Sequence, residues 1–433
     1  MGIIIGIGQT RPQTPYDHYY GIEWDVTVSN PKPKRIGKME MHAYLPVQSL
    51  MRRCVLRDNG EVAYYLDPND STKKTDSSKA NLDGSDGQVM VEIPEFYYKT
   101  EVDGSKRRFL MSPSKLPGFE KWDRFFVSAY EATMQRSTSK LASVVNASDD
   151  YRGGNNDASK DGKFNSQLGR PATLITLREA RTFARKRGSS SWNCQTYQAQ
   201  KILFWLFAVE YCNFNSQDEF KPSLDGLGYR QGGLGVGVTD LAQWYLFGNY
   251  PPVPCGVTNE LGNRTGVVDY LCEKSDDGSI PGQKLHAISY RGVENPFGNG
   301  WTLIDGVRVR SKSNNDGGVN ELYVCRDKEK FGEPVNSTDY DFRGTISRNI
   351  GYIKDIVFGN HADVIASEVG GSSTTHFCDS FIISVPGVGV SEMILLMGAG
   401  AGEGAGAGLL FSHCRWGEGQ YDRDVGTRLC YIP

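Results

Sequence analysis

The residues able to do chemistry are scattered along the chain. Histidines stand at 18, 42, 286, 361, 376 and 413, and none pair at a metal-binding spacing such as HExxH. Nine cysteines, at 54, 194, 212, 255, 272, 325, 378, 414 and 430, form no CxxC pair. Their odd number and apolar flanks predict buried free thiols in a protein folded in a reducing compartment. Neither Ser384 nor Ser412 sits in a GxSxG elbow. Residues 398–408 place glycine at every even position, which could cradle a phosphate. Glu403 stands where a third glycine of GxGxxG would fall, and no P-loop lysine follows, so nucleotide binding is excluded and flexible backbone is expected instead. Residues 232–237 are glycine-rich too and read as a turn. No cofactor, no metal and no catalytic set is predicted.

What remains is binding chemistry. Residues 410–424 gather His413, Arg415, Trp416, Tyr421 and Asp422 in a polar, glycine-rich stretch before an apolar closing strand. Trp, Tyr and Arg anchor interfaces because they bring large area and versatile hydrogen bonding with few rotamers. The residue types alone leave two readings equally open, a ligand face or a Trp416 packed on its own domain.

The elements that must hold this stretch can be read in outline. The chain has 433 residues, 39% of them hydrophobic, 11% aromatic and 23% charged, so cores can form. Fifty glycines favour turns and irregular strands over a helix bundle. A net charge of −3 offers no basic excess for nucleic acid. No apolar run reaches membrane-spanning length, and the first residues lack a basic signal-peptide region. Residues 1–38, with Pro12, Pro15, Pro31 and Pro33, read as an extended arm that packs on something else. Residues 39–112 read as a small β-rich domain for attachment or oligomerisation, with strands at 62–66 and 89–93. Residues 117–433 read as the second unit. It holds a strand at 125–130, a polar loop at 146–163, and a helix at 176–186 with Thr176 and Glu179 at capping-box spacing. A helix over 196–213 follows, apolar nearly all round and therefore buried. The predicted class is α+β.

Several stretches resemble the variable proteins of diversity-generating retroelements, the group of the phage major tropism determinant. At the C-terminus these are Gly370-Gly-Ser-Ser-Thr-Thr-His-Phe-Cys-Asp379, Leu396-Met-Gly-Ala-Gly400 and Asp424-Val-Gly-Thr-Arg-Leu-Cys-Tyr-Ile-Pro433. Upstream, Tyr19-Tyr-Gly-Ile-Glu-Trp24, Gln88-Val-Met-Val-Glu-Ile-Pro94, Gln231-Gly-Gly-Leu-Gly235 and Glu294-Asn-Pro-Phe-Gly298 are similar to the gut-phage and gut-anaerobe branch. The resemblance implies a C-type-lectin-like domain of the formylglycine-generating-enzyme type, preceded by a smaller β-rich region. Its variable part spans about 398–428. The implied ligand-binding positions are Gly402, Glu403, Gly406, Leu410, Ser412, His413, Arg415, Trp416, Gln420, Tyr421 and Asp422. The implied role is receptor binding at a phage tail tip, as a homotrimer attached to other tail proteins and directed at a bacterial cell-surface protein or glycan. A bacterial surface adhesin and a formylglycine-generating-type enzyme are the alternatives. The enzyme would need a closely spaced reactive cysteine pair, which the sequence lacks. The calcium-lectin tripeptide Glu-Pro-Asn is absent as well.

Overall fold

The computed structural model describes residues 18–162, 166–220, 253–274, 277–279, 282–335 and 338–433. The glycine-rich stretch at 232–237, the resemblance at 231–235, and the arm before residue 18 lie outside them. The fold is β-rich, with 38% strand against 15% helix, so the helical share of the expected α+β class is small.

Three helices are described. The first, α1 (Met39–Tyr44), is a short connector. In α2 (Leu177–Arg185) the Thr176 hydroxyl accepts from the Glu179 N–H at 3.2 Å while the Glu179 carboxylate takes the Thr176 N–H at 2.8 Å. This is the expected capping box. In α3 (Tyr197–Tyr211) all but two residues are buried. Its apolar surface is covered on every side, as the absence of a polar stripe requires.

Strand pairing ignores the expected boundary between 112 and 117. One six-stranded sheet runs in the order Trp192–Cys194, Arg428–Tyr431, Phe125–Glu131, Gln88–Ile93, Arg52–Leu56, Val62–Tyr65. Strands of the expected attachment domain thus pair directly with those of the expected ligand domain, Val91 facing Val127 in register. The same correction applies to the N-terminal arm. Tyr20–Asp25 is an interior strand of a five-stranded sheet, and Trp24 packs its ring 5.7 Å from Trp205 of α3 and 5.0 Å from Phe358. One continuous core joins Tyr20 to Cys430. Hydrophobic burial does not respect sequence order, and a single core leaves these segments as one body.

The closing strand Arg428–Tyr431 is fixed by buried charge. Arg428 donates to Ser128 O at 3.3 Å and to the carbonyls of Glu294 and Asn295. Glu294 accepts from the N–H groups of Gly256 and Thr258 at 2.8 and 2.7 Å. Glu131 takes the amide of Asn299 and the Gly300 N–H. Burial pushes the Glu131 carboxyl up to about 7, with Arg428 pulling the other way. Glu294, part of a stretch quoted for the resemblance, is therefore an internal strut.

The largest sheet carries the C-terminal region. Its long strand Trp301–Lys312 pairs with Val390–Met397, which pairs with Ser412–Cys414, which runs parallel to Ser380–Ile383.

Candidate functional site: a clamped terminal loop

Residues 398–408 are held from several sides, contrary to the flexibility their composition suggests. Gln217 Nε2 donates to Gly404 O at 3.1 Å and Ala407 O at 2.7 Å, and Gln200 Nε2 donates to Leu409 O at 3.0 Å. Ser216 Oγ accepts from the Leu409 N–H at 3.1 Å, and the buried Asp379 carboxylate accepts from the Leu410 N–H at 2.7 Å. Burial raises the Asp379 carboxyl well above its usual range; the amides of Leu410 and Phe411 oppose that rise. A Cβ on Gly406 would collide with the Ser380 hydroxyl, and one on Gly408 with the Asp379 carboxylate. Glycine is required there by close approach, not by mobility. The stretch after Gly408 turns at Leu409 and Leu410, and the strand starts at Ser412.

The expected ligand residues divide into two groups. Gly406, Leu410 and Ser412 are buried, and Ser412 Oγ is spent on Leu410 O at 2.7 Å. These three are scaffold, and none presents a side chain to a ligand. Glu403, Arg415, Gln420, Tyr421 and Asp422 are exposed, with Gly402 half-buried. His413 and Trp416 lie between the groups. The His413 ring is 5.5 Å from both Trp301 and Trp416, and Trp416 also leans on the core. Burial and the neighbouring Arg415 cation hold His413 down at about 4, so it is neutral at physiological pH. Trp416 is thus half-buried, packed in part on its own domain.

Three contributors were not singled out in the sequence. Trp301 lies beneath the face and packs on Phe411 at 4.8 Å. Asp424 is raised to about 6 by burial, then by the Asp422 charge, with Glu403 adding to it. Glu418 clamps the loop: its carboxylate lies 3.1 Å from Arg181, 3.4 Å from Arg308 and 3.6 Å from the exposed Arg178. Arg181 in turn holds the fully buried Asp305 at 2.6 Å. Within the loop, the Gln420 side-chain oxygen accepts from the Gly417 N–H at 2.9 Å, and Leu174 N–H donates to Asp422 O at 3.0 Å. Glu418 and Asp424 belong to the polar stretch already visible in sequence. Their partners are far away in the chain, so only the fold separates struts from displayed groups.

The eight cysteines whose side chains are described form no disulfide, and all but the half-buried Cys212 are buried. Burial pushes the Cys430 thiol up to about 12 and the Cys414 thiol higher still. Thiols in such surroundings are poor nucleophiles. Among the described residues no cluster of His, Cys, Asp and Glu could hold a metal ion, and no helix is long and apolar enough to cross a membrane.

Fold and site together define a β-rich protein whose last loop is clamped from beneath and polar above. No protein-family model matches the chain, and no curated protein matches it.

Proposed function

We propose that this chain is a receptor-binding protein with a C-type-lectin-like ligand domain, and that the loop around Glu418 is its ligand face. The observation that carries this reading is the division within a dozen residues between fixed and free groups. Glu418 is tied to two nearly buried arginines, while Arg415, Tyr421 and Asp422 beside it face solvent. A rigid backbone presenting Tyr and Arg binds without the entropic cost of ordering a loop. The resemblance supplies the setting: adsorption to a bacterial cell-surface protein or glycan from a phage tail tip. Met39, Tyr44 and Leu50, on and just after α1, are apolar and more than half exposed, which suits attachment to other tail proteins or to copies of this chain as a trimer.

The test is population sequencing of the gene together with its neighbouring DNA. The expected result is a reverse transcriptase gene, a near-copy of the 3′ end mismatched at adenines, and codon changes at 403, 413, 415, 416 and 420–422. Glu418, Asp379, Gly406, Leu410 and Ser412 should stay constant. Changes spread equally over both sets would refute the reading.

A further inference from the structure

A cavity of about 500 Å3 opens away from that loop, beside the first turn of α3. Its volume lies in the usual range for small-ligand pockets, about 300–1,000 Å3. Tyr98, Phe125 and Ala199 are buried in its lining. The Trp122 ring forms one wall and is fixed by aromatic contacts to Phe96, Tyr98 and Phe125 at 6.4, 5.7 and 6.5 Å, with the buried Lys201 ammonium, paired to Asp363, 5.6 Å from its centroid.

The polar groups around this wall are unevenly satisfied. Lys121 is neutralised by Glu95 at 3.0 Å and Asp123 at 2.6 Å. Arg124 shares Glu92 with Arg52. Lys328 holds the carbonyl oxygens of Ile432 and Pro433 at 2.7 and 2.9 Å. Glu120 accepts the Tyr98 hydroxyl at 2.9 Å and has lone pairs to spare. Arg326 differs: its contact is the ring nitrogen Nδ1 of His361 at 2.6 Å, and it has no carboxylate ion pair among the described residues. A guanidinium can only donate, so His361 Nδ1 is the acceptor of this bond, and burial with the cations Arg343 and Arg326 lowers the His361 pKa in the same sense. The Gln198 amide and the Trp122 indole N–H make no hydrogen bond among the described residues.

We propose that this cavity is a ligand site for an acidic sugar unit, its ring face on Trp122, its carboxylate on Arg326 and its hydroxyls between Gln198 and Glu120. The cation selects an anion, and the fixed indole selects a ligand with a flat apolar face. The lining holds donors in Arg326 and Gln198 and an acceptor in Glu120, and a hydroxylated ring uses both. A flat aromatic acid would leave the amide of Gln198 and the carboxylate of Glu120 unpaired against its ring, which costs affinity. None of the terminal-loop residues takes part, so this site stands apart from the receptor face.

The test is calorimetric titration and saturation-transfer NMR on the full chain with glucuronate, glucose and phenylacetate. Glucuronate should bind at millimolar concentration and glucose about tenfold more weakly, the loss expected for one charge-assisted contact. Phenylacetate should bind more weakly than glucuronate. Arg326→Gln should bring glucuronate down to the level of glucose, and Gln198→Ala should weaken both sugars several-fold. Both positions are at the cavity mouth, so the variants should melt like the parent. Arg415→Ala/Tyr421→Ala should bind glucuronate unchanged. The proposal is overturned if glucuronate does not bind, if phenylacetate is preferred, if Arg326→Gln still favours glucuronate, or if the Arg415/Tyr421 variant loses the sugar.

Discussion

Leu410→Ala and the triple variant Arg415→Ala/Gln420→Ala/Tyr421→Ala fall within a dozen residues, and the structure assigns them opposite outcomes. Leu410 is fully buried, with its N–H held by Asp379. Truncating such a side chain removes the transfer energy of the lost carbons and leaves a void, about 2–5 kcal/mol in all. The three loop residues are exposed, Tyr421 by 57%. The Arg415 and Tyr421 substitutions should each cost within about 0.5 kcal/mol. Gln420 adds the loss of its exposed bond to the Gly417 N–H, about 0.5–1.5 kcal/mol. The triple variant should therefore lose less than about 2.5 kcal/mol while deleting much of the exposed face. Urea unfolding followed by tryptophan fluorescence at a common slope, beside calorimetry, measures both. If the triple variant loses as much as Leu410→Ala, the loop residues are core. If Leu410→Ala costs under about 1 kcal/mol, the assignment of Leu410 to the scaffold fails.

Glu418→Ala should cost about 1–3 kcal/mol, since Arg181 keeps Asp305 but Arg308 loses its closest carboxylate. Hydrogen exchange of amides 417–422 should rise more than elsewhere; unchanged exchange there would show that Glu418 is no clamp. Stability should fall as pH rises from about 4.5 to 7, because the Glu131 carboxyl is raised from its ordinary 4.5 to about 7 and the folded state holds the extra proton in that window. Glu131→Gln should flatten this slope by up to about 1.4 kcal/mol per pH unit, and Asp424→Asn should flatten it between about 4 and 6; parallel profiles for parent and variants would refute the assignment. Among the eight cysteines whose side chains are described, Cys212 should label fastest in native protein, and all nine thiols should label in guanidinium without reductant. Stable disulfides among them would contradict the buried-thiol arrangement.

What could be read from the sequence follows the range of the interactions. The capping box at Thr176 and Glu179 is contained in four residues, and the all-round apolar pattern of α3 in fifteen, so both are legible. The strands around 62–66, 89–93 and 125–130 are legible for the same reason. Strand pairing across the expected boundary at 112–117 is not legible, because partners such as Val91 and Val127 are joined only by the sheet. The glycine run misleads in the same way. Its composition is local, but Ser216, Gln217 and Asp379, which pin it, are not. Within the terminal stretch, residue types picked out Arg415, Trp416, Tyr421 and Asp422. They could not separate these from Leu410 and Ser412, since the turn at Leu409 and Leu410 resets which side chains point outward.

The clamp beneath the loop has its own origin in strand geometry. The strand Trp301–Lys312 pairs regularly with Val390–Met397 up to Ile304 and resumes at Val309, with the irregularity between. A bulge re-aims side chains that a regular pleat would send to alternate faces. Gly306 occupies the bulge at φ +75°, where any Cβ would press on the Phe331 ring at 2.8 Å. On either side of it Asp305 turns to Arg181 of α2 and Arg308 turns to Glu418 of the loop. One local departure from sheet geometry thus ties the long strand, a helix and the terminal loop into a single charge network. Apart from the exposed Arg178 and the part-exposed Glu418 the network sits out of solvent, and the exposed side chains of the loop take no part in it. Residues that share no partners contribute nearly additively to stability. The exposed positions can therefore change chemistry while the backbone that presents them keeps its course, which is the physical condition a variable binding surface needs.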